Sequence, residues 1–217
     1  MIFFLSRSHG EKTVGDLAVG ESLWLTEDGV LTEYFVVQQG NPDSTVYTDA
    51  GADGTWILRR DASTFGTVTG AGAATVVSDG TYLARFPEEL QAAMREVKKP
   101  IGVTTSVASI TSKIHQLTIK ETGEPEGVAG LPLDAFQDLG SPDVIAYYNG
   151  AAVRYWLSDS SVAGDATTGY SGVYFYIDKY GIANLAQYST TDLYYIRPVM
   201  ILDPDAKLND QNELIGL

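Results

Sequence analysis

The chain is poor in the side chains that catalysis and metal binding use most. Of its 217 residues none is Cys and only two are His, His9 and His115. Without Cys there is no thiolate nucleophile, no disulfide, no Cys-based zinc site and no iron–sulfur ligand. Two histidines far apart in sequence leave little for a triad or a multi-histidine metal centre. Carboxylates are plentiful, but Asp49, Asp53, Asp159 and Asp165 lie in Gly- and Ser-rich stretches, where Asp commonly forms turns. Asp49-Ala50-Gly51-Ala52-Asp53-Gly54 has a faint likeness to a calcium loop without EF-hand spacing or a terminal Glu. Gly70-Ala71-Gly72 is not followed by the residues that cradle phosphate. The expectation is a chain with no catalytic residue, no metal site and no cofactor: not an enzyme. His115 falls in the extended pattern of residues 114–119 and reads as a structural side chain, whereas His9 reads as exposed.

Tyrosine carries the stronger signal. Ten of the thirteen lie between Tyr147 and Tyr195, at 147, 148, 155, 170, 174, 176, 180, 188, 194 and 195. Tyrosine supplies a large rigid contact area with a hydrogen-bonding tip, so binding surfaces accumulate it. Strand propensity accounts for part of the excess. The rest points to a recognition surface made by Tyr170, Tyr174, Tyr176, Tyr180 and Tyr188. Residues 173–178 and 182–188 flank Lys179-Tyr180-Gly181 and predict a hairpin. By strand alternation Tyr174 and Tyr176 share one face, opposite Val173, Phe175 and Ile177. The more apolar face belongs to the core, so the two tyrosines point outward and should tolerate Ser at little cost in stability.

Positioning these residues requires a folded body, and 44% hydrophobic residues suffice for one. Glu27-Asp28-Gly29 between two strand-like runs predicts a hairpin over residues 21–38, and residues 55–59 a buried strand. Leu90, Ala93, Met94 and Val97 at i, i+3, i+4 and i+7 predict a helix over 87–98, with a short helix at 79–85 before it. Residues 103–120 read as extended, 133–139 as a weak helical turn, 194–202 as a closing strand and 203–212 as a polar surface tail. Helical crossovers are scarce, so the strands should be antiparallel.

The net charge of -14, from 28 acidic and 14 basic residues, argues against binding nucleic acid or an anionic membrane surface. Met1-Ile2-Phe3-Phe4-Leu5 is too short for a signal peptide or a membrane span. It reads either as an N-terminal strand or expression remnant, or as an assembly arm in which Ile2, Phe3, Phe4 and Leu5 dock on another chain. The expected organisation is an arm at 1–12 and one domain at 13–217.

Several blocks, taken in order, carry a resemblance. They are Thr13-Val14-Gly15-Asp16-Leu17-Ala18-Val19-Gly20, the stretch from Val36 to Ser44, Asp53-Gly54-Thr55-Trp56-Ile57-Leu58-Arg59, the weaker Ser112-Lys113-Ile114-His115-Gln116-Leu117, Ile145-Ala146-Tyr147-Tyr148-Asn149-Gly150 leading to Tyr155-Trp156-Leu157, and Tyr195-Ile196-Arg197-Pro198-Val199. Together they resemble a family of uncharacterised phage and prophage proteins with a C-type-lectin-like domain. The resemblance implies an α+β, C-type-lectin-like fold of short helices and twisted antiparallel sheets. It also implies a non-enzymatic structural protein on the surface of a phage particle, on head or tail. Its partners would be other virion proteins (capsid or tail) and a host surface glycan or protein, and it would be oligomeric in the particle. The alternative is a free or cell-attached, calcium-independent carbohydrate-binding module. Ser158-Asp159-Ser160 stands where the family has Arg-Ser-Pro, and Ala52 where a Cys is common. Trp56 and Trp156 are expected as core anchors, and Arg197 as a partner of a carboxylate or carbonyls near the closing strand.

Overall fold

The computed structural model describes residues 11–69, 80–101, 108–124, 131–137, 141–161, 173–186 and 193–217. Along the chain run β1 (Ser22–Glu27), β2 (Val30–Gln39), β3 (Thr55–Arg59), α1 (Glu88–Ala93), β4 (Val97–Ile101), β5 (Ala108–Ser112) and β6 (Ile114–His115). There follow β7 (Ala146–Tyr148), β8 (Ala151–Val153), β9 (Tyr155–Ser161), β10 (Val173–Ile177), β11 (Ala183–Ala186), β12 (Val199–Leu202), β13 (Lys207–Leu208) and β14 (Leu214–Gly216). A five-stranded sheet in the order β1-β2-β3-β12-β6 forms the centre, and β11-β10-β9 form a second sheet. β4–β5, β7–β8 and β13–β14 are two-stranded. All these strand pairs are antiparallel.

The central strands are legible as uninterrupted apolar runs. Phe35-Val36-Val37, Trp56-Ile57-Leu58 and Val199-Met200-Ile201-Leu202 are buried throughout, as strands covered on both faces require. Phe35, Val37, Trp56, Leu58, Val199 and Ile201 pack on one side with Tyr155, Leu157, Phe175 and Ile177 of the second sheet. Tyr34, Val36, Ile57, Met200 and Leu202 pack on the other with Leu90, Ala93, Tyr82, Phe86 and the β13–β14 ribbon. The β1–β2 turn places Asp28 at φ 51° and Gly29 at φ 77°. Two successive positive φ values give the turn whose twist matches the flanking strands. Gly54 allows β3 and β12 to approach closely: a Cβ there would lie 2.6 Å from both the Leu202 carbonyl oxygen and Ile201 Cγ2.

The α+β, C-type-lectin-like expectation is overturned. Among the described residues one α-helix of six residues stands beside short 3-10 turns, and the rest of the regular structure is strand in small antiparallel sheets. The helix expected over 87–98 stops at Ala93. Met94 bridges to Leu202 and the Arg95 N–H donates to the Ile201 carbonyl, so the chain leaves the helix to pair with β12. Pro100 disfavours helical geometry at Lys99 before it, and Val97–Ile101 pairs as β4 with β5. Leu90, Ala93, Met94 and Val97 are all buried, but a helix and a strand divide them. The polar tail is also structured. Ala206 and Pro204 carbonyls accept from Val14 and Gly15, and the Leu208 N–H donates to the Lys12 carbonyl.

Candidate functional site

The outer face of the second sheet is aromatic. Tyr174 and Tyr176 on β10 are partly exposed, while Phe175 and Ile177 between and beyond them point into the main core. The expected alternation holds at these four positions; nothing is described of the Val173 side chain. Tyr176 lies opposite Trp156 in the β9–β10 register, so both rings stand on one face. Trp156 is fully buried, packed with Ile196, Val68, Tyr174, Tyr176 and Tyr194, and its Nε1–H donates to the Val68 carbonyl at 2.7 Å. It anchors this outer cluster, while its neighbour Tyr155 enters the central core. Tyr194 lies 4.6 Å from both Trp156 and Tyr176, centroid to centroid. Burial, joined by Tyr194 at Tyr176, raises the phenol pKa of Tyr174 and Tyr176, keeping both as neutral donors.

Arg154 closes the edge of this face. It is exposed, with its guanidinium carbon 5.4 Å from the Tyr194 centroid and 5.7 Å from that of Tyr176. Sequence reasoning missed Arg154 and Tyr194. Arg154 was findable, because it stands two residues before Trp156 and strand spacing puts both on one face. Tyr180, at the β10–β11 turn, is 69% exposed and has Lys179 Nζ 5.0 Å from its ring. It does not join the cluster around Trp156. Tyr170, Tyr188 and the apolar run Ile2, Phe3, Phe4 and Leu5 lie outside the described residues.

A second polar centre lies beneath the β1–β2 hairpin. Glu27 is the inward residue at the end of β1, and both its oxygens are engaged. Oε2 accepts from Tyr34 Oη at 2.9 Å and Arg59 Nε at 3.0 Å. Oε1 accepts from Tyr82 Oη at 2.9 Å and Arg85 Nη1 at 2.9 Å. Burial drives both phenol pKa values up, with the Glu27 charge adding to the effect. Burial, the largest influence, would lower the pKa of Arg59 and Arg85, but Glu27 together with the neighbouring phenols, and Asp28 at Arg85, outweighs it and both are raised. A cleft of about 310 Å³ opens above this network, lined by Arg59, Arg60, Asp61, Thr64 and the exposed Val30 and Leu31. Four donors thus occupy the two Glu27 oxygens beneath the cleft. Glu27 is a structural counter-ion.

Three further buried polar groups serve the fold. Lys99 Nζ donates to Glu121 Oε2 and to the Gln116 carbonyl, each at 2.5 Å, and Tyr47 Oη donates to the other Glu121 oxygen. His115, on the edge strand β6, is buried, and its Nε2 has no hydrogen-bond partner. Burial and the Lys99 charge lower its pKa to about 3, against a bond to Ser112 that favours the charged form. Arg197 meets carbonyls, as expected. It donates to those of Arg59, Arg60, Asp143 and Val144 at 2.7–3.0 Å. Trp56 is a core anchor whose Nε1–H reaches the Ala52 carbonyl. No group of three potential metal ligands occurs among the described residues. No helix among them is long and apolar enough to cross a membrane.

Residues 78–204, more than half of the chain, match one family, described as Domain of unknown function (DUF6273). The chain belongs to that family. The DUF6273 segment contains the aromatic face and Arg154, and leaves β1–β3 outside its bounds. The chain is also similar to a configuration-inverting 2-haloacid dehalogenase of Pseudomonas sp. (strain 113), at 30% identity over 88 residues. That alignment covers 40% of this chain and 29% of the dehalogenase, so the chain spans less than a third of the relative's length. No solved structure matches.

Proposed function

We propose that this DUF6273 chain is a non-enzymatic structural protein of a bacteriophage particle that presents the Tyr174–Tyr176–Tyr194 face to a partner. The observation that carries the recognition role is the outward pair Tyr174 and Tyr176, held by the buried Trp156. Aromatic rings fixed by packing lose little freedom on binding, which favours them as anchors. The phage setting rests on the ordered blocks from Thr13 to Val199 that resemble phage and prophage proteins. In that setting the apolar run Ile2, Phe3, Phe4 and Leu5 is the segment for attachment to neighbouring virion proteins. A non-catalytic role agrees with Glu27, the most enclosed carboxylate of the cleft, being saturated by four donors.

The test is immunogold labelling of phage particles from cells that carry the gene, with antibody raised against the purified chain. Label on the particle surface supports the reading. Antigen confined to the particle-free fraction overturns the virion role. Weakened attachment of particles carrying Tyr176→Ser, with the chain still incorporated, supports the contact face.

A further inference from the structure

Of the described arginines, Arg59, Arg60, Arg85 and Arg95 are ion-paired to carboxylates, and Arg197 is spent on main-chain carbonyls. The Arg154 guanidinium makes neither kind of contact with the described residues. Its one polar contact there is a long 3.4 Å approach to Tyr194 Oη, and the Tyr176 and Tyr194 rings hold it in place. In a chain with twice as many acids as bases, an exposed arginine without a counter-ion among the described residues, beside an aromatic face, is the departure to explain. A guanidinium resting on aromatic rings keeps its outer N–H edge free, and that edge fits a carboxylate in bidentate geometry.

The backbone narrows the partner class. β10, which carries Tyr174 and Tyr176, is the middle strand of β11-β10-β9 and is paired on both sides. A peptide therefore cannot add a strand to it, and the main-chain hydrogen bonds of strand addition are unavailable at this face. Recognition has to run through side chains: ring surfaces, phenol hydroxyls and one cation. Pyranose rings offer the complement, with C–H faces for the tyrosines and hydroxyl edges for the phenols.

We infer that this face binds a carboxylated glycan of the uronic-acid type, with sugar rings on the exposed tyrosine surface and a carboxylate on the N–H edge of Arg154. This rests on the recognition role proposed above and names the ligand class of the same face.

The experiment is calorimetric titration of the full chain with oligogalacturonate and with a neutral galacto-oligosaccharide of equal length, for the wild type, Arg154→Gln and Arg154→Lys. Tighter binding of the acidic oligomer by about tenfold is expected, the effect of one interaction worth roughly 1.4 kcal/mol. Arg154→Gln should abolish that preference at an unchanged melting temperature, and Arg154→Lys should keep part of it. Equal affinity for the two oligomers, no binding of either by the wild type, or a preference that survives Arg154→Gln overturns the inference. None of these results touches the particle labelling or the attachment defect of Tyr176→Ser. A protein partner would show as that attachment defect without glycan binding.

Discussion

Trp156 and Tyr176 face each other across the β9–β10 pair, with ring centroids 6.1 Å apart and planes at 83°. This edge-to-face contact makes the exposed tyrosine part of a small hydrophobic cluster as well as part of the surface. Such pairs contribute roughly 0.5–1.5 kcal/mol beyond burial alone.

The first prediction follows from that contact. Strand alternation alone led to the expectation that Tyr174 and Tyr176 tolerate Ser at little cost, and packing against Trp156 and Tyr194 changes it. Tyr176→Ser should cost about 1–3 kcal/mol, because it strips a partner from two other rings. Tyr180→Ser, at the exposed turn, should cost about 0.5 kcal/mol or less. Urea unfolding of the two variants measures the difference, and equal midpoints would show that the cluster adds nothing.

Much of the central sheet was legible in sequence because its strands are apolar without interruption and its first turn carries Asp-Gly. The second sheet was legible through alternation around Phe175 and Ile177. The helix is shorter than its sequence pattern because Leu90, Ala93, Met94 and Val97 are buried along a chain that changes from helix to extended pairing at Met94. A period of 3.6 over eight residues cannot tell those cases apart, whereas Pro100 could have.

The second prediction concerns Glu27. Glu27→Gln keeps the shape of the side chain but removes the charge that Arg59 and Arg85 both face. Breaking a buried pair from one side leaves uncompensated charge, so the loss should be about 3–5 kcal/mol. Thermal unfolding should show a midpoint lower by many degrees. A shift within error would mean that solvent in the cleft above already neutralises the arginines.

Arg197 gives the third. Its guanidinium ties the carbonyls of Arg59 and Arg60 after β3 to those of Asp143 and Val144 before β7. Lys presents one compact ammonium and cannot span this set. Arg197→Lys should therefore destabilise by about 2–4 kcal/mol, since carbonyls left unpaired carry their desolvation cost. The same charge with a different outcome separates geometry from electrostatics, and a Lys variant as stable as the wild type would sink the argument.

The candidate site was less legible than the fold, for a reason that Tyr194 illustrates. Sequence showed the density of tyrosines but not which of them meet, because Tyr194 reaches Trp156 and Tyr176 from a segment outside the hairpin. Likewise Glu27, Tyr82 and Arg85 converge across more than fifty residues, a juxtaposition that no local pattern encodes.

The last prediction is a pH dependence set by His115. Folded, this side chain is buried with Nε2 unpartnered and Lys99 nearby, and its pKa is lowered to about 3 from the ordinary 6.5. Above pH 6.5 the imidazole is neutral in both states, so its contribution to stability is fully present. As pH falls from 6.5 toward 3 the unfolded chain takes up the proton and the folded chain does not, so stability is progressively lost. Between pH 7 and pH 5 the loss should be about 2 kcal/mol, in a range where ordinary carboxylates have barely begun to titrate. His115→Asn retains a side-chain donor for the bond to Ser112 but has no proton to gain. It should be less stable at pH 7 because of lost packing, yet flat between pH 7 and pH 5. Denaturant unfolding at both pH values reads the slope directly. A variant that loses as much stability as the wild type over that interval would place the acid sensitivity in another group.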